Sequence, residues 1–167
     1  MNTAIRMLIA ATLALPLGAG LVACKKEEAA AVQAPKEVLP MPTTQDSAAW
    51  RAYVGSVAER NMDGVTNAPY VYFLPSDTDP DFEGKFERTL EQVDLAVQRI
   101  VQPNNMLVFA SPSPTKAADL AEQGFKNAKP DSMKDVKVVL IGSPADQQRV
   151  RDAVIPSGVT FVFHEAK

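Results

Sequence analysis

His164 is the only histidine in the chain, and a side chain that exchanges a proton near neutral pH is what general acid–base chemistry asks for. Hydroxyls cluster in two Ser-Pro segments, Ser111-Pro112-Ser113-Pro114-Thr115 and Ser143-Pro144, and carboxylates alternate at Asp77, Asp79 and Asp81. Three chemistries are open to such a set. Ser111, His164 and Asp77 are the residue types of a nucleophilic hydrolase. Ser111, Ser113, Thr115 and Ser143 at helix starts suit a small anion, because helix N-termini present unpaired N–H groups and a partial positive charge. Alternating carboxylates suit Ca²⁺.

Each set also has a plainer reading. No G-x-S-x-G elbow surrounds a serine, and neither Ser-Pro loop has a Gly-rich phosphate-binding pattern. Ser before Pro is what capping alone requires. An EF-hand register fails, since Phe82 stands where the loop needs Gly and Arg88 where it needs Glu. Asp81 then serves the N-terminus of the following helix. A single His with no cysteine in the folded part makes a poor metal set. What remains is a candidate ligand edge of Asp77, Ser111, Ser113, Ser143 and His164, with no catalytic set, metal or cofactor expected.

The elements that must position these residues follow from periodicity. Asp46 precedes an apolar stripe of Trp50, Tyr53, Val54, Val57 and Ala58 at helical spacing. Tyr70 to Leu74 is a short β-former run closed by Pro75. Phe86, Leu90, Val93, Val97 and Ile100 mark a second helix ended by Pro103-Asn104-Asn105, and Met106 to Ala110 is an apolar strand. Ser113-Pro114 opens a third helix with Ala117, Leu120, Ala121 and Phe125. Val136 to Ile141 is the most apolar strand; Ser143-Pro144 opens a fourth helix with Val150, Ala153 and Val154; Val159 to Phe163 closes the series. Trp50, Tyr53, Tyr70 and Tyr72 read as core, and Arg149 and Arg151 with Asp146 and Asp152 as a solvated helix face.

Strands alternating with helices, the inner ones apolar on both faces, indicate a parallel sheet covered on both sides. The expectation is an α/β fold: a three-layer α/β/α sandwich with a four-stranded, mainly parallel sheet and an extra N-terminal helix. Strands 2 and 3 are expected to be more buried than strands 1 and 4. The expected order is 2-1-3-4, a reduced flavodoxin-like arrangement, whose carboxyl edge is where ligands usually bind. That edge carries the five candidate residues.

The first 23 residues are of another kind. One charge, Arg6, precedes an apolar run from Met7 to Leu17. That run is shorter than the roughly 20 residues a membrane span needs and right for an export signal. It leads into Leu21-Val22-Ala23-Cys24, which resembles the lipobox of bacterial lipoproteins. The resemblance implies cleavage before Cys24, lipid on its thiol and acylation of the new amino terminus. Lys25 after the cysteine favours the outer membrane by the same resemblance. Residues 24–44, with Pro35, Pro40 and Pro42, read as a tether reaching at most about 65 Å, and 45–167 as one domain.

Removing Arg6 with the signal takes the net charge from −3 to −4. A mildly acidic chain without a basic run is a poor partner for nucleic acid. With Cys24 its only cysteine, an acylated protein has no disulfide, so stability rests on an ordinary core. The expected function is a lipid-anchored, non-catalytic, periplasm-facing module of the cell envelope that binds an envelope protein partner. A small-anion binder or hydrolase-type enzyme at the sheet edge is the alternative.

Overall fold

The computed structural model describes residues 37–99 and 101–167. The lipobox with Cys24, the export signal, most of the tether and Ile100 lie outside the described residues. The chain folds as α1 (Ser47–Arg60), β1 (Tyr70–Phe73), α2 (Phe82–Gln98), β2 (Met106–Ala110), α3 (Pro114–Gly124), β3 (Lys137–Gly142), α4 (Gln147–Val154) and β4 (Thr160–Glu165). A 3-10 turn, Pro144–Asp146, precedes α4, and a second, Ile155–Ser157, follows it. The fold is α/β, with an all-parallel sheet.

The strand order is β1-β2-β3-β4, not 2-1-3-4. The reason lies in where the helices go. Each crossover between parallel neighbours is right-handed, so strands added always on the same side put every connecting helix on one face. Val93 and Val97 of α2, Leu120 of α3 with Phe125 at its C-cap, and Val150 and Val154 of α4 accordingly share one cluster with Tyr72, Leu107, Phe109, Val138, Leu140 and Phe161. Among the described residues the one helix on the opposite face is α1. Trp50, Tyr53, Val54, Val57 and Ala58 seal it against Met106, Val108, Ala110, Val139 and Ile141. All five expected stripe residues of α1 are buried.

Local chemistry sets the element ends. Asp46 Oδ1 accepts from the N–H groups of Ala48 and Ala49 at 2.7 and 2.8 Å, satisfying two of the donors a helix start leaves free. Gly158 turns the chain into β4 at φ +90°, a conformation a side chain disfavours. Before α1, residues 38–44 fold back along it. Leu39 N–H donates to Ser56 Oγ at 3.0 Å, and Trp50 Nε1 donates to Thr44 O at 2.8 Å. Val38 and Met41 pack on the α1 cluster, so the chain meets the domain before residue 45.

β2 is buried throughout and β3 from Val138 onward, β1 and β4 less so. The two outer strands end the sheet differently. On β4 the one exposed residue is Thr160. The Arg151 guanidinium lies 5.5 Å from the Phe161 ring centroid, and Glu165 pairs with Lys167 at 2.6 Å. β1, by contrast, has no charged residue and leaves Tyr70 and Val71 each 49% exposed.

Candidate functional site

The carboxyl edge brings some of the expected residues together. Ser111, at the end of β2 and fully buried, donates from Oγ to Pro75 O at 3.1 Å and accepts from Ser113 N–H at 3.0 Å. Ser113 is the N-cap residue of α3 with Pro114 at the first turn, yet its hydroxyl does not cap. It donates to Asp77 Oδ1 at 2.8 Å and accepts from Asp77 N–H at 3.0 Å. Ser111, Ser113 and Asp77 thus stitch the β1–α2 loop to the β2–α3 loop. Both hydroxyls donate and accept within the protein, so neither hydroxyl hydrogen is free for a ligand.

The remaining two candidates stand apart from this cluster. Ser143 Oγ accepts from Ala145 N–H at 3.3 Å, a cap on the 3-10 turn. His164, half-buried on β4, turns toward α1 with its ring 6.1 Å from that of Tyr53. Burial lowers its pKa below the ordinary 6.5, and the positive charges of Arg60 and Lys167 lower it further against an opposing Glu165. Neither Ser111 nor Asp77 is its hydrogen-bond partner: Ser111 serves Pro75, and Asp77 serves Ser113. The cavity at this edge, about 280 Å³, is lined by Gln45, Ser47, Phe73, Ser76 and Asp79 among others and by none of the five. It is smaller than the 300–1,000 Å³ usual for ligand pockets.

The carboxylate triplet is tied as well. Asp79 holds Lys85 Nζ with both oxygens at 2.9 Å. That bond, with the Asp81 N–H, keeps its carboxyl below the usual range. Asp81 pairs with Arg88 at 2.9 Å. Among the described residues no three His, Cys, Asp or Glu side chains are placed to hold a metal.

Two sequence readings are corrected. Arg149 is not on a solvated face. It bridges α4 to α3, bonding Asp119 at 2.8 Å, Asp146 at 2.9 Å and Glu122, and Asp146 is 9% exposed. Tyr70 is not core: it shares the α2 face of β1 with Tyr72, but as the first residue of an outermost strand it stays 49% exposed while Tyr72 is buried.

The surface that sequence reasoning missed is the lateral edge at β1. On its α1 side lies an apolar groove of about 510 Å³ lined by Ser47, Arg51, Val54, Gly55, Val71 and Phe73. On its α2 side lies one of about 570 Å³ that includes Tyr70, Tyr72, Gln92, Leu95 and Arg99. Leu95 is 47% exposed. The signal available in the sequence was weak: four uncharged β-formers, Tyr70 to Phe73, with no Lys, Pro or Gly among them. No family model matches this chain, nor does any curated protein or solved structure.

Proposed function

We propose that this protein is a lipid-anchored, non-catalytic module of the bacterial envelope that faces the periplasm and acts by binding another protein. The anchor rests on the lipobox resemblance at Leu21–Cys24. The observation that carries the binding role is the contrast between the two candidate surfaces. At the carboxyl edge Ser111, Ser113 and Asp77 are bonded to one another in a row, whereas the β1 edge exposes Tyr70 and Val71, with Leu95 of α2 beside them, along two grooves. Exposed apolar surface of this kind is what a protein interface uses.

The test is crosslinking in the native host, with Cys24→Ala as the unanchored control and palmitate labelling as the readout of acylation. The expected result is label on the wild type alone and a discrete protein partner whose yield falls on unanchoring. Label retained by Cys24→Ala would refute the anchor. Absence of any protein crosslink to the wild type would refute the binding role.

A further inference from the structure

The backbone of β1 is directional. Leu74 N–H donates to Ala110 O of β2 at 3.0 Å. Within a strand, successive residues turn their N–H and C=O groups to opposite sides, so Tyr70, Tyr72 and Leu74 serve β2 while Val71 and Phe73 point their N–H and C=O groups away from it. The outward edge therefore presents a repeat of donors and acceptors at Val71 and Phe73. Side chains on either side of the edge meet a groove. Of the described residues lining each groove, the one charged side chain is an arginine: Arg51 on the α1 side and Arg99 on the α2 side.

We propose that β1 accepts an added strand from a partner protein, an extended apolar segment carrying two carboxylates an odd number of residues apart. The proposal rests on the protein-binding reading above and gives the partner its chemistry. Main-chain bonds to Val71 and Phe73 supply the register, and alternate side chains drop into the two grooves. Successive residues of an added strand face opposite sides, so carboxylates that reach both Arg51 and Arg99 are separated by an odd count. Charge also decides against a second copy. Pairing two β1 strands about a twofold normal to the sheet brings like faces together, setting Arg51 toward Arg51 and Arg99 toward Arg99. A strand with carboxylates meets the opposite charge at both sites.

Gly55 provides an independent handle. It lies within α1, and a Cβ added there meets nothing within 4 Å. Gly55→Leu therefore fills the α1-side groove while replacing a poor helix former with a good one. Val71→Lys puts a charge on the edge itself, the device that commonly blocks strand pairing.

The experiment uses full-length protein in mild detergent and a capped peptide of Val and Thr with two glutamates three residues apart, followed by amide exchange. The expected result is slowed exchange at the Val71 and Phe73 amides, with Tyr72 unchanged. Affinity falls about tenfold when the glutamates become lysines, or in Arg51→Glu/Arg99→Glu. Gly55→Leu binds more weakly although it melts no lower than wild type, so loss of binding is separated from loss of fold. Equal binding of the lysine peptide, protection spread evenly along β1, or no effect at β1 overturns the proposal. So does a dimer in sedimentation that Val71→Lys dissolves, since the occupant is then a second copy. A host crosslinking partner that persists undiminished in Val71→Lys leaves the protein-binding role standing and removes the strand-addition site alone.

Discussion

The two outer strands of this sheet are built to opposite specifications. β4 is six residues long, and Arg151 covers Phe161 while Glu165 and Lys167 charge its end. Its α1-facing side is also filled: Val162 and Ala166 pack on the same cluster as Val38 and Met41. Charges at a sheet margin discourage pairing with another chain. β1 is four residues long, uncharged, and flanked by two grooves. Only its shortness limits pairing. A chain that guards one edge with charge and leaves the other apolar is asymmetric where a monomer gains nothing from asymmetry.

The helices beneath the two edges differ in the same sense. On the β1 side α2 is pressed onto α3 where Gly124 faces Val93. A Cβ at Gly124 would meet Val93 Cγ1 and sit 3.0 Å from its Cβ. Gly124→Ala should therefore lower stability by about 1–3 kcal/mol, read in a urea melt, and disturb the α2-side groove with it. No loss of stability would show that α2 rides loosely on α3. On the β4 side α4 is held to α3 by the Arg149 network, in which burial opposes the charge but Glu122, Asp146 and Asp119 outweigh it and raise the guanidinium pKa. Arg149→Met should cost about 1–2 kcal/mol, because the side chain is about a third exposed and partly screened. Unlike the Gly124 effect, this one should shrink as salt is raised, and equal salt dependence of the two would erase the distinction.

A smaller effect tests the covering of β4 directly. Arg151→Ser removes the cation over Phe161, at a cost of about 0.5–1 kcal/mol. It should also increase self-association measured by light scattering, whereas an unchanged signal would mean that Arg151 is no guard. The smallest effect is at His164. Its folded pKa is lowered, so the unfolded chain binds the extra proton first. The stability it contributes is full above the unfolded value of about 6.5 and declines as pH falls from there toward the folded pKa. His164→Gln should flatten the stability slope between about pH 7 and 5, and an unaltered slope in thermal melts would assign it to other groups.

Much of the fold was legible because periodicity reports burial. The α1 stripe from Trp50 to Ala58, the fully buried runs at Met106–Ala110 and Val138–Ile141, and the Asp46 cap all follow from local sequence. Strand order was not, because the handedness of a crossover constrains it only once each helix is assigned to a face. α1 stands outside every β-α-β unit, and its stripe had to cover something. The stripe covers β2 and β3 on one face, and the other three helices share the opposite one. With the strands in sequence order the strand order never reverses, so there is no switch-point crevice of the kind that usually holds ligands.

The candidate site was legible as residue types but not as connections. Ser113 was correctly placed at the start of α3, yet its hydroxyl bonds Asp77, 36 residues away. Nothing in Ser-Pro spacing distinguishes a cap from a stitch between loops. Arg149 looked solvated because its partners Asp119 and Glu122 lie on another helix. Edge status, which turns Tyr70 and Val71 from core formers into exposed surface, is a property of the sheet and not of the strand's own sequence.

The segment folded back along α1 has a mechanical consequence. A pull from the amino-terminal side is met first by Leu39 on Ser56 and then by Thr44 on Trp50, before any load reaches the helix cap at Asp46. These contacts lie in series and few of them are buried, so residues 38–44 strip away while the core stays shut. The leash lengthens by at most about 23 Å, seven residues at roughly 3.3 Å each less the span they already cover. The segment acts as stored slack, a shock absorber between the proposed anchor and the folded body, and single-molecule stretching from that end should register a low-force step of no more than this size ahead of global rupture.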